Sequence, residues 1–476
     1  MSSFLPRPPY TIPLIYTVTF LFLFGLSLQP APRTQIYETI ICENFYQSHP
    51  HHPNHNQDAH IQKDCKIPPI QQELALVGGI ERLTILIPSL LSIPFAALAD
   101  RLGHSSILSL AIFGCLLEEA WALLICSFPA VFPLRLVWLH FIFGGLGGGI
   151  TVVVSLLHVI VAAVVEGAEQ RTKVFFRLRA AGVGASVLGY AVSGVVMRRW
   201  VWVPWWVGLG SLAGATGVGT CLPVTKGEGV EDEARHRDHK MGWRERFGAS
   251  GQLFVRIWRL LVGNRQILVM LVLVLLCQLG FDSLPLMMII YVSKRYGWKF
   301  SDANLLNSLE MMFEFIVLVF LLPVVTSLLS RSKLSPFGRD KLIAQASIAA
   351  LAIGAIFLGL APVVPLAIIG ISVMALGAGQ DSALRSITTE MVDASDVSIV
   401  YSAITMLRAI GGSVSGPVFA GLYGVGLRIS ESWLGLPYIV AGLLFALAFL
   451  LLMLLKEPSG YELVSENEPE EEPLRP

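Results

Sequence analysis

Residues 96–108 read AALADRLGHSSIL and join two apolar runs, 74–99 and 105–126. Each run is about as long as the roughly 20 residues a helix needs to cross a bilayer. An Asp-Arg pair followed by Gly cannot face lipid, because ionised side chains cost several kcal/mol in hydrocarbon, so this turn belongs at an aqueous surface. Asp100 and Arg101 suit helix ends and charges on neighbouring helices, and Gly103 permits a tight turn that a Cβ would obstruct. The rest of the chain has the same character. Of 476 residues 54% are hydrophobic and 14% charged, against about 25% charged in an ordinary soluble domain. The class is therefore an all-α membrane protein. Lys plus Arg and Asp plus Glu balance at 34 each, so charge gives no support to a nucleic-acid partner.

Apolar segments that predict helices begin near residues 12, 74, 105, 135, 176, 201, 266, 303, 342, 364, 399 and 436. Twelve crossings put both termini on one side. The first run, 12–28, is too long for a usual leader core and reads as the first transmembrane helix. With the N-terminus inside, 22 Lys and Arg residues fall in inner segments and 10 in outer ones, which predicts cytoplasmic termini. The longest polar interruption, within 224–265, separates two sets of six helices, 1–223 and 266–456. Within it, 243–261 interleaves Arg256 and Arg259 with Phe254, Ile257, Trp258 and Leu260, as a connector lying on the inner leaflet does. The last residues, 457–476, are rich in Glu and Pro and predict a disordered cytoplasmic tail.

The 100–103 turn resembles the loop between the second and third helices of the major facilitator superfamily, which reads G-x-x-x-D-R-x-G-R-K. Asp100, Arg101 and Gly103 keep the pattern; Ala96, His104 and Ser105 depart from it. The fourth helix, with Gly144, Gly145, Gly147, Gly148 and Gly149, is similar to a fungal branch of that superfamily. So are the segments RTQIYETIICENFY and YVSKRYGWKFSDANLL. That branch is distantly like the proton-coupled folate transporters. The resemblance implies twelve transmembrane helices in two pseudo-symmetric six-helix bundles, with Asp100, Arg101 and Gly103 as a gating motif. Drug-efflux members carry G-x-x-x-G-P-x-x-G-G in the fifth helix; here ASVLGYAVSG, 185–194, has Tyr190 in the Pro position.

An outer loop is expected at 33–72. It contains Cys42 and Cys65, which face an oxidising compartment and are candidates for a disulfide. It also contains His49, His51, His52, His55 and His60, for which flexible polar filler is the preferred reading over a metal site. No metal or cofactor is expected.

Ionisable residues inside spanning helices are functional candidates by default. Asp282 leads, three residues before Pro285 in QLGFDSLPL, where a proline frees a backbone carbonyl and can break the helix. Glu310 and Glu314 are four apart and share a helix face, which suits holding one proton between them. Glu118 and Glu119 point about 100° apart, so at most one is expected to face a cavity. Glu81 and Arg82 are each expected to pair with a different helix. Arg408 needs a carboxylate partner or an anionic substrate. Asp381 and Arg385 read as a surface pair, and Arg135 as structural.

The sequence contains no G-x-x-x-x-G-K-[ST] loop, so direct nucleotide drive has no support. The reading is a secondary active transporter, proton-coupled, that exports a small organic molecule by alternating access, as a monomer in the plasma membrane. Proton-coupled uptake of an anionic nutrient is the alternative, and Arg408 recommends it. A non-transporting membrane sensor is a further alternative. A membrane-embedded enzyme is disfavoured because His104, His140 and His158 lack Asp-rich company in sequence.

Overall fold

The computed structural model describes residues 10–49, 64–165, 168–223, 265–282, 284–332, 334–392 and 397–457. The described residues form helices and connecting turns, and the helices group into twelve consecutive rods. These are Thr11–Ser48, 68–102, His104–Ser127, Leu134–Val164, Ala168–Val196, Val203–Thr220, 265–296, Phe300–Ser330, Pro336–Leu360, Val364–Met391, Val397–Ile429 and Glu431–Leu454. They are called the first to twelfth helices below. Nine are long and apolar enough to cross a membrane by length and composition. Pro30, Pro68, Pro204, Pro336, Pro365 and Pro437 each open a helical segment, where the missing N–H is one that lacks an intrahelical partner anyway. Gly103, at φ +100°, makes the tight turn between the second and third helices.

The packing repeats itself with an offset of six. The first helix packs on the fifth and sixth, and the third on the fourth and sixth; correspondingly the seventh packs on the eleventh and twelfth, and the ninth on the tenth and twelfth. Two larger contacts cross between the sets, second with eleventh and fifth with eighth, and these too are related by the offset. The result is two six-helix bundles of the kind expected from the sequence. Lipid is as apolar as leucine, so such helices are held by close packing and buried polar contacts rather than by exclusion of water.

The bundles do not meet equally along their length. At the end remote from the chain termini, Tyr37, Leu74 and Trp205 of the first bundle share one continuous core with Met288, Phe419 and Tyr438 of the second. At the terminal end the first bundle has a separate core of its own, around Val18, Leu108, Val153 and Leu212. Lys66 ties the remote end together: its Nζ lies 2.7 Å from Glu38 Oε1, 2.7 Å from Ser293 Oγ and 3.9 Å from the centre of the Phe300 ring. Burial pushes the Lys66 ammonium below the ordinary lysine range, with the Glu38 carboxylate opposing the shift. Arg198, in the turn just past the fifth helix, meets Asp302 of the eighth at 2.7 Å on the same side.

One expectation needs correction. Among the described residues the loop drawn at 33–72 is mostly helix: the first helix resumes at Pro30 and continues to Ser48, and the second begins at Pro68. Hydropathy treats Arg33, Glu38 and Glu43 as solvent-seeking. In the structure Tyr37, Ile40, Ile41 and Cys42 turn inward at helical spacing, and Arg33 is neutralised by carboxylates from other helices. Cys42 and Cys65 are joined by a disulfide, which fastens this extension to the connection that follows it. Of the histidines in the 33–72 stretch His49 is described; the others, the 243–261 segment and the tail beyond Glu457 lie outside the described residues.

Several helices are interrupted. The second is divided around Ile85 and Leu91. The fourth is divided between Gly144 and Gly149, where Gly148 and Gly149 have φ of +79° and +67°, a conformation that residues with a Cβ rarely adopt. These two breaks lie side by side, since a Cβ on Gly144 or Gly149 would come within 3.1 Å of the Pro88 ring. The seventh helix stops at Phe281 and resumes at Leu284, as the Asp282 and Pro285 pattern predicts. The eighth contains a π-helical turn, Val317–Leu321.

Candidate functional site

A cavity of about 370 Å³ lies where the interrupted helices converge. That is in the range of pockets that enclose small organic molecules. Its wall is mostly first bundle, with Pro285, Ile290 and Asn307 contributed by the second. The apolar part includes Leu23, Leu26, Leu74 and Ile85, and the polar part is a set of ionisable groups from four helices.

Arg33 is the centre of that set. Its guanidinium Nη1 lies 3.1 Å from Glu81 Oε1 of the second helix and 3.1 Å from Glu119 Oε1 of the third. Both carboxylates meet the same guanidinium nitrogen, whose permanent charge makes Arg the suitable cation for a buried pair. Tyr37, one turn further along the first helix, donates from its hydroxyl to Glu81 at 3.5 Å. Beside this group Glu118 Oε1 stands 3.5 Å from His140 Nδ1, and His140 Nε2 lies 2.8 Å from Thr84 Oγ1. Glu118 and Glu119 both line the cavity, contrary to the expectation that only one would. The 100° between them holds, but the cavity wraps around the third helix from the first to the fourth.

The other candidates are placed as follows. Asp100 lies in the last turn of the segment Ser92–Leu102, and its side chain is outside the described residues. Arg101 is exposed beside it, and Gly103 forms the turn. Asp282 sits at the break in the seventh helix with its carboxylate in the space that a Cβ on Gly412 of the eleventh would occupy. Glu314 pairs with Arg179 of the fifth helix at 2.9 Å. Glu310, one turn away, is buried and has no ion-pair partner among the described residues. Arg408 is paired with Asp381, which also holds Arg385 at 3.2 Å. The three form one cluster across the tenth and eleventh helices, so the expected Asp381 and Arg385 surface pair is part of something larger. Arg135 pairs with Glu73 at 2.9 Å in an exposed position, which suits a structural role.

Arg82 reverses an expectation. It was expected to pair with another helix, but it lines the cavity with no ion-pair partner among the described residues. Its neighbour Glu81 points to Arg33 instead. Sequence reasoning also missed Arg33 and His140 as site residues. A signal for Arg33 existed: Glu81, Glu118 and Glu119 are three acids in adjacent helices, and such a group requires a cation. Among the described residues no group of three or more His, Cys, Asp or Glu side chains is placed to hold a metal.

Two six-helix bundles joined at one end around a small charged cavity, with no nucleotide-binding loop in the sequence, define a secondary transporter, which carries its solute by opening to one side at a time. Residues 59–416 match the Major Facilitator Superfamily, and the chain belongs to that family. Among curated proteins it is 32% identical to "MFS efflux pump atnC" of Emericella nidulans, over 90% of this chain and 84% of that protein. It is 28% identical to "MFS-type transporter avaK" of Aspergillus versicolor, over 89% of this chain and 87% of that one. Among solved structures the D-xylose-proton symporter superposes with a TM-score of 0.65 at 15% identity, over 94% of this chain and 98% of the other, a likeness of fold alone.

Proposed function

We propose that the chain exports a small, moderately apolar organic molecule in exchange for protons, acting as a monomer in the plasma membrane with both termini in the cytoplasm. The observation that carries this reading is the cavity itself: an apolar wall around a titratable set, Arg33, Glu81, Glu118, Glu119 and His140, drawn from the first four helices. Similarity to fungal efflux pumps supports the outward direction. The Lys and Arg excess supports the orientation, and so does the disulfide, which persists on an oxidising side of the membrane. The packing supports a division into bundles 1–223 and 266–456 linked by 224–265. Asp100, Arg101 and Gly103 are proposed to act at the inner gate, and Asp282, Glu310 and Glu314 to respond to protonation at the second bundle's side.

The test compares medium and cell extract of cells with and without the protein, then follows the compound found into inside-out vesicles under an imposed pH gradient. Export predicts that the compound is retained in cells lacking the protein, and that collapsing the gradient stops uptake into the vesicles. Transport that persists after collapse would exclude proton coupling, and a protein that only senses would change neither compartment.

Uptake of an anion is a second reading, and it rests on Arg82 rather than Arg408. Arg408 no longer recommends it, since Asp381 neutralises that charge. Arg82 does, being a cation on the cavity wall with no carboxylate bound to it among the described residues. A hydrogen bond to a charged group contributes about 1.5–3 kcal/mol. Arg82→Gln should therefore weaken binding of a carboxylate-bearing cargo by 10-fold or more, and leave an uncharged cargo nearly unaffected. The ratio of transport KM values for the two variants reads this directly.

A further inference from the structure

The hydrogen bonds around His140 determine where its protons are. Thr84 Oγ1 lies 2.7 Å from the Glu81 backbone carbonyl and donates its one hydrogen there. It therefore presents a lone pair to His140 Nε2, 2.8 Å away, and the same carbonyl presents another at 3.3 Å. Two acceptors face Nε2, so Nε2 carries the hydrogen and the tautomer is fixed. On the opposite side of the ring Nδ1 faces Glu118 Oε1 at 3.5 Å. With Nε2 already protonated, a bare Nδ1 and a carboxylate would be two lone-pair carriers pointing at each other. One proton between them removes the conflict, either as imidazolium with carboxylate or as imidazole with carboxylic acid.

The surroundings hold this arrangement. Glu118 Oε1 occupies the space that a Cβ on Gly144 of the fourth helix would fill, so glycine at 144 gives the carboxylate its seat. The charged and titratable groups that line the same cavity as the pair are Arg33 and Tyr37 from the first helix, Glu81 and Arg82 from the second, Cys115 and Glu119 from the third, and Tyr190 from the fifth. Arg33 is committed to Glu81 and Glu119, which leaves Glu118 to His140. Both members of the pair line the cavity.

We propose that Glu118 and His140 together form a one-proton site, and that an ammonium group of the cargo displaces that proton. Once the proton has gone to water, the carboxylate and Nδ1 are two acceptors at the cavity wall, and an ammonium supplies both the positive charge and the hydrogens they need. Proton and cargo then compete for one place, as exchange requires. This rests on the proposed proton-coupled export, and gives it a cargo class and a site.

The test uses the full-length protein reconstituted in lipid, titrated by infrared difference spectroscopy in water and in deuterium oxide, with phenethylammonium as the probe. Carboxyl and imidazole bands should titrate together in the wild type. Glu118→Gln should remove the carboxyl change and leave the imidazole band to titrate alone at a different pH, and His140→Gln should shift the carboxyl band to a separate titration. Gly144→Ala, which keeps both groups but removes the seat, should uncouple them in the same way. Binding of phenethylammonium should release one proton in the wild type and none in Glu118→Gln. Bands that titrate independently in the wild type overturn the shared site, and probe binding without proton release overturns the displacement. Failure to bind the probe overturns the ammonium class. If Glu118→Gln still exports against a pH gradient, the assignment fails while proton-coupled export stands; if the wild type titrates as a pair but ignores the gradient, coupling fails and the proton site stands.

Discussion

Arg33→Met is expected to abolish transport and to lower the stability of the protein by about 3 kcal/mol or more, the usual consequence of removing one partner from a buried ion pair. The loss follows from what remains. Glu81 and Glu119 would stand in the cavity wall with no cation between them, each within reach of the other and of Glu118. The uncompensated carboxylates would repel one another, and the network could no longer distinguish a loaded from an empty state. Thermal unfolding in detergent reads the stability, and the vesicle assay reads transport. The variant Arg33→Met with Glu81→Gln and Glu119→Gln separates the effects, because it removes the charges together. It should regain most of the stability and none of the transport. If Arg33→Met alone transports at the wild-type rate, the ion network has no part in the cycle.

Gly416→Leu is expected to be nearly as damaging, for a mechanical reason. At this point the second and eleventh helices approach backbone to backbone: a Cβ on Gly79 would meet the Gly416 carbonyl oxygen at 2.8 Å and the Ala420 Cβ at 2.7 Å, and a Cβ on Gly416 would strike the Gly79 carbonyl and the Arg82 stem. Overpacking a close contact commonly costs about 1–3 kcal/mol. Here the strain falls on the seam between two bundles, each of which can keep its own fold while they part. Transport should fall at least 10-fold with little change in unfolding temperature. Cysteines placed at Arg198 and Asp302, whose long side chains meet at 2.7 Å across the same end, should be joined by a short bismaleimide in the parent and several-fold less in Gly416→Leu. Equal cross-linking in both would show that the glycine contact does not hold that end shut.

The contrast between what the chain discloses and what it hides is physical. Helices declare themselves because each is a local run of apolar side chains, and the break at Asp282 declares itself because Pro285 lacks the N–H that would continue the ladder. The ion network does not, because its members are distant in sequence: Arg33 and Glu119 are 86 residues apart. Hydropathy also misleads where charge is paired, since it counts Arg33 as a residue bound for water while Glu81 and Glu119 make the interior acceptable to it. The same blindness separated Arg408 from Asp381, which the tenth and eleventh helices bring together. His140 has no Asp-rich company in sequence, because its acidic neighbour, Glu118, is on another helix.

The paired interruptions in the second and fourth helices have a consequence for how such a machine could move. Both fall beside Pro88, so that the segments Ser92–Leu102 and Gly149–Val164 hang below one common crease. Bending there would swing these two segments as a panel and leave the carboxylates and Arg33 above it in register. A doorway at the terminal end could then open and shut by folding a flap, with no need to tilt the whole wall that carries it.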